Sequence, residues 1–79
     1  MDWISDMTMR LASETKLDVA DLLLDEVAKE TLLDLAAVAA HTSGDRTNAP
    51  LLCHVIGRAV ARGATLDDCA RVVREFAAE

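Results

Sequence analysis

From Leu32 to Ala40 the chain carries eight apolar side chains and a single charged one, Asp34. At helical spacing, Leu32, Leu33, Leu35, Ala36, Val38, Ala39 and Ala40 occupy most of the circumference. Only Glu30, Asp34, Ala37 and His41 are left for a narrow polar stripe. A helix that is apolar nearly all round is stable only among neighbours. A segment running roughly from Ala28 to Thr42 is therefore expected at the centre of a helical bundle. The chain has 79 residues, enough for one small domain and no second core. At 52% hydrophobic it is too apolar to remain disordered. With one Trp, one Phe and no Tyr, its core must be aliphatic.

One Pro and three Gly leave few breaks, and they mark where the other helices stop. Trp3, Ile4, Met7 and Leu11 recur at helical spacing behind Asp2 as a cap, which predicts a helix from Asp2 to about Glu14. Met1 and Met9 fit that stripe less well. A short helix is expected near 18–24, led by Asp18, with an irregular Asp25-Glu26-Val27 after it. Thr42 to Asn48 is the one clear loop, and Gly44 is placed to leave the central helix in a left-handed conformation. Asn48 reads as the cap of the next helix, with Pro50 in its first turn. That helix is expected to turn Leu52, Val55, Ile56, Ala59 and Val60 inward, to point His54, Arg58 and Arg62 outward, and to stop at Gly63. The last helix starts at Thr65, with Asp68 as a short-armed capping-box partner. Leu66, Cys69, Ala70, Val73, Phe76 and Ala77 form its expected buried face, opposite an Asp67–Arg71–Glu75 ladder. The fold class that follows is all-α, a compact bundle of four main helices plus one short helix, in a single domain over residues 1–79.

Several chemistries are disfavoured. Fourteen acids against eight bases give a net charge of −6, the wrong sign for a phosphate-backbone binder. The two aromatics supply no stacking platform for bases, so no nucleic-acid partner is expected. No stretch approaches the roughly 18–20 apolar residues of a membrane span. The opening Met1-Asp2-Trp3 is acidic where a signal peptide is basic. A cytoplasmic chain with no membrane partner is the expectation, and there Cys53 and Cys69 stay reduced as small hydrophobes. Gly44, Gly57 and Gly63 are too scattered for a phosphate-cradling loop. Cys53 and His54 are neighbours on a helix, about 100° apart, and cannot easily share an ion. Without Cys-x-x-Cys or His-x-x-x-His spacing, no metal site is expected. A cysteine nucleophile would have to meet His41, and both cysteines lie by apolar stripes where a thiol is inert. No cofactor and no catalytic residue is expected.

Two features invite a functional reading. Residues 1–45 hold ten acids and three bases (−7), whereas residues 46–79 hold four acids and five arginines (+1). Such a dipole is either a set of solvated faces or a partner-docking surface. The second feature is the turn joining the two middle helices. A helix N-terminus offers amide donors and a positive end, Arg46 adds a two-pronged fork, and His41 closes the helix before it. His41, Arg46 and Asn48 are the candidate ligand-binding residues, for a carboxylate, a phosphate or a partner's acidic side chain. In the plainer alternative His41 satisfies carbonyls at a helix end, Asn48 is an ordinary cap and Arg46 pairs with Asp45.

Leu32-Leu33-Asp34-Leu35-Ala36, Ala40-His41, Arg46 and Ala49-Pro50-Leu51 together resemble a small bacterial helical domain of unknown function. The Asp2-Trp3 start and the glycine closing the third long helix are similar as well. The positions matching the motif are Asp34, His41, Arg46 and Pro50. The polar Thr42-Ser43-Gly44-Asp45 and Thr47-Asn48 depart from it, as does Cys53-His54. Members of that family stand alone or extend the nucleotidyltransferase that joins GMP to molybdopterin. The resemblance implies a non-catalytic accessory or interaction domain assisting molybdenum-cofactor biosynthesis through a protein partner, a cofactor-maturation enzyme. The alternative from the residues is an anionic-ligand module at the His41–Arg46–Asn48 turn, and the resemblance implies a pterin or nucleotide as its ligand. A third reading, a minimal enzyme using His41 as acid or base, lacks a second group with a role. A docking module should expose an apolar patch and a binder a concave polar pocket. The Trp3-Ile4-Met7 stripe, in a chain too short to bury everything, also points to a homodimer through the first helix.

Overall fold

The computed structural model describes residues 2–79. Four α-helices and one short 3-10 helix follow one another: α1 (Trp3–Thr15), the 3-10 turn Val19–Asp21, α2 (Glu26–Ser43), α3 (Asn48–Ala61) and α4 (Leu66–Ala77). This is the all-α bundle of four main helices and a short one that the periodicity predicts. Each boundary has a local cause. Asp18 Oδ1 accepts from the Ala20 amide at 3.0 Å, and Asp25 Oδ1 from the Ala28 amide at 2.7 Å. Asp25 is therefore the cap of α2, which starts two residues before the expected position, and Glu26 and Val27 are helical rather than irregular. The Gly44 amide donates to Ala40 O at 3.0 Å with φ +73°, so Gly44 ends α2 in the left-handed region as expected. Thr65 Oγ1 accepts from the Asp68 amide at 3.1 Å and starts α4.

The core is a three-way junction. Leu35 of α2, Ile56 of α3 and Ala70 of α4 are buried against one another, ringed by Leu32, Leu52, Leu66, Cys69 and Val73. Leu35, at 0% exposure, is the largest fully buried side chain among the described residues. The central role expected of α2 holds, since it packs on both α3 and α4. Two ties across it were not foreseen: Arg74 donates to Asp34 at 2.9 Å, and Cys53 Sγ reaches Leu32 O at 3.8 Å.

α1 stands apart from this junction. It packs on the 3-10 turn and not on α2, α3 or α4. Its tie to α2 runs through Asp2, whose carboxylate accepts from Lys29 Nζ at 2.8 Å and from Ser5 Oγ at 3.0 Å. Asp2 holds the N-cap position of α1 as expected, but its side chain makes the ion pair and no cap hydrogen bond. Ala12 is buried, and Ser5, Thr8 and, from the apolar stripe, Met7 are half-buried. Trp3, 73% exposed, is open to solvent with Ile4 and Leu11. Met9 is exposed too, and Met1 lies outside the described residues.

Without α1 against it, α2 is not enclosed all round, and Leu33 is 72% exposed. Val55, Val60 and Phe76, expected to face inward, are exposed as well. The molecule measures 41 × 25 × 20 Å, with a radius of gyration of 13.5 Å. A domain of this length commonly has about 11.6 Å. Its accessible surface is 6162 Å², where a folded monomer of this mass exposes about 4,650 Å².

A core of so few buried residues has little redundancy. Leu35→Ala should cost ~2–5 kcal/mol in chemical denaturation, through lost transfer energy and the cavity left behind. A loss under about 0.5 kcal/mol, the range of exposed sites, would contradict this description of the core.

Candidate functional site

The exposed apolar residues are not scattered. On α3 and α4 apolar residues come in adjacent pairs, Leu51-Leu52, Val55-Ile56 and Val72-Val73. Neighbours on a helix lie about 100° apart, so a pair supplies two faces. In each pair the second residue packs toward the junction and the first is exposed. Leu51 and Val55 of α3 and Val72 and Phe76 of α4 thereby flank an apolar groove of about 550 Å³ whose floor is Val38, Ala39, Leu52 and Val73. Thr42, Ser43 and Asn48 close one end of it with polar groups. Phe76 is 72% exposed at its rim. Reading Val55 and Phe76 as core missed this groove, and the paired apolar positions were the signal that could have found it.

The turn at the polar end is organised by its own side chains. Ser43 Oγ donates to Ala39 O at 2.7 Å and accepts from the Asp45 amide at 3.2 Å and from Asn48 Nδ2 at 3.0 Å. Asp45 Oδ1 accepts from the Thr47 amide at 2.9 Å and from Thr47 Oγ1 at 2.6 Å. These bonds hold the Asp45 carboxyl below the ordinary aspartate range, the hydroxyl of Thr47 contributing most and its amide next. Asn48 is the first residue of α3 and not its cap; Thr47 holds the cap position without a side-chain cap bond. The correction follows from Asp45, which draws the Thr47 amide into a side-chain turn and leaves the Asn48 amide group to brace Ser43.

The candidate residues His41, Arg46 and Asn48 share this turn but form no bonded cluster among the described residues. The His41 and Arg46 side chains make no hydrogen bond or ion pair among the described residues, both residues are exposed, and Arg46 does not pair with Asp45. Of the amides after Asn48, Ala49 donates to Arg46 O at 3.1 Å, and just before them Thr47 donates to Asp45 Oδ1 and Asn48 to Asp45 O at 3.1 Å. Pro50 has no amide hydrogen to offer, and the Asp45 carboxylate puts negative charge beside them. Of the other motif positions, Asp34 is taken up by Arg74 and Pro50 sits in the first turn of α3.

Cys53 and Cys69 are both free and half-buried. Burial pushes the Cys53 thiol up from its ordinary value, so it stays protonated and a poor nucleophile at neutral pH. Among the described residues no group of three or more His, Cys, Asp or Glu is placed to hold a metal ion. Among them too, no helix is long and apolar enough to cross a membrane.

A family model described as a domain of unknown function, DUF6457, matches residues 1–79. The chain belongs to the DUF6457 family. Comparison with curated proteins and with solved structures returns no match. What this DUF6457 domain offers chemically is thus read from its surface: an apolar groove closed at one end by a hydrogen-bonded turn.

The Asp45 turn can be tested by acid. A depressed carboxyl stabilises the fold above the ordinary aspartate value, and the contribution is lost as pH falls through the lowered one. In an NMR titration the Thr47 amide should shift with a midpoint below about 3.9, and Asp45→Asn should abolish that transition. A midpoint at or above about 3.9 would contradict the bonding described.

Proposed function

We propose that this DUF6457 domain is a non-catalytic docking module whose α2–α3–α4 groove receives the apolar face of an amphipathic helix from a protein partner. The groove itself carries the reading. It is concave, apolar along its floor and rimmed by four exposed large apolar side chains, the arrangement that helix-in-groove recognition uses. Soluble monomers rarely leave such a surface open without an interaction to serve. The family resemblance supports a maturation enzyme of the molybdenum cofactor as the partner, in particular the nucleotidyltransferase that joins GMP to molybdopterin. The rival reading, an anionic pterin or nucleotide at His41, Arg46 and Asn48, meets an Ala49 amide already bonded to Arg46 O and the Asp45 carboxylate's negative charge beside the turn.

Phe76 should be the anchor, because a rim aromatic that becomes buried commonly dominates binding. With purified nucleotidyltransferase in a calorimetric titration, the domain should bind, and Phe76→Ala should weaken it by about 2 kcal/mol, near thirtyfold. Because Phe76 is exposed, the variant should keep its helical circular dichroism. Equal affinity of the variant, or no binding by a chain whose groove is open, would reject this reading.

A further inference from the structure

α1 is oriented in a way that a lone chain does not explain. It meets only the 3-10 turn, with Ala12 buried and Ser5, Met7 and Thr8 half-buried, while Trp3, Ile4 and Leu11 are exposed. The same molecule has an empty apolar groove that its own α1 does not cover, since α1 touches neither α3 nor α4. The two surfaces match in length. Trp3 to Leu11 spans about 12 Å of helix, and Asn48 to Val55 about 10 Å. They also match in class, an amphipathic helix stripe and a groove shaped for one.

The geometry points to a second copy of this chain as the occupant of the groove. In a two-fold dimer α1 of each protomer lies in the α2–α3–α4 groove of the other, so that two identical contacts close the assembly. This inference rests on the docking reading above and names the first partner that satisfies it. Area supports it. The chain exposes about 1,500 Å² more than a monomer of its mass. Covering that excess on both copies buries about 3,000 Å², within the range of permanent homodimers. A helix from another protein then enters the groove in place of α1.

Trp3 is the sole tryptophan, so it reports on the contact directly. The purified chain should double in mass by sedimentation as its concentration rises, with Trp3 emission moving to shorter wavelength over the same range. Leu11→Lys, at an exposed site near the end of α1 where lysine suits a helix, should stay monomeric with solvent-exposed emission. Val55→Asp, at an exposed groove position, should do the same, both keeping helical circular dichroism. Mixed together, the two variants should associate, because one undamaged α1 meets one undamaged groove. A wild type that stays monomeric, or a dimer that ignores either substitution or leaves Trp3 emission unmoved, would overturn the inference. The docking reading fails separately, if monomeric Leu11→Lys, its groove open, does not bind the nucleotidyltransferase.

Discussion

Leu35 is the point on which the rest of the molecule depends. It is fully buried where α2, α3 and α4 meet, against Ile56 and Ala70. The two neighbours differ greatly in size, and Ala70 is small enough to let α4 approach α2 closely. The approach aligns Arg74 with Asp34 across the two helices. An exposed ion pair of this kind adds little stability, so the junction holds the helices and the pair only follows. Cys53 fits the same account, a small half-buried side chain whose thiol points to a carbonyl of α2.

Three helices around one leucine cannot cover the apolar surface that the sequence supplies. The paired apolar positions on α3 and α4 serve the junction with one member and leave the other outside. α1 would be the natural cover, yet it is placed by Asp2, Lys29 and the 3-10 turn so that Trp3, Ile4 and Leu11 stay exposed. The result is one chain carrying both an uncovered groove and an unpaired amphipathic stripe. Surface exposure of that size is stable in water when something else completes it, and the proposed function and dimer follow from this single imbalance.

The helices were legible because their limits are local. Gly44 and Thr65 act on amides or carbonyls within a few residues, and the chain alone specifies them; Asp25 acts as locally, yet the sequence reading places it in irregular chain. The capping of α3 was misplaced by one residue because Asp45 competes for the Thr47 amide, a choice made by the turn as a whole. Phe76, Val55 and Leu33 were misassigned for a different reason. Periodicity reveals which residues share a face, but whether that face meets a neighbour depends on where α1 settles. The candidate site is a different case: His41, Arg46 and Asn48 do fall at one turn, while the bonds within that turn are local but depend on the backbone path that Ser43 and Asp45 select together.

The central claim is that the groove's missing complement is the stripe on α1. Isotope-filtered NMR on an equal mixture of labelled and unlabelled chains tests it most directly. Intermolecular nuclear Overhauser contacts from the Trp3 indole to the methyls of Leu51 and Val55 are the predicted result. Contacts from Trp3 to another α1 alone, with the Leu51 and Val55 methyls still open to solvent, would contradict it.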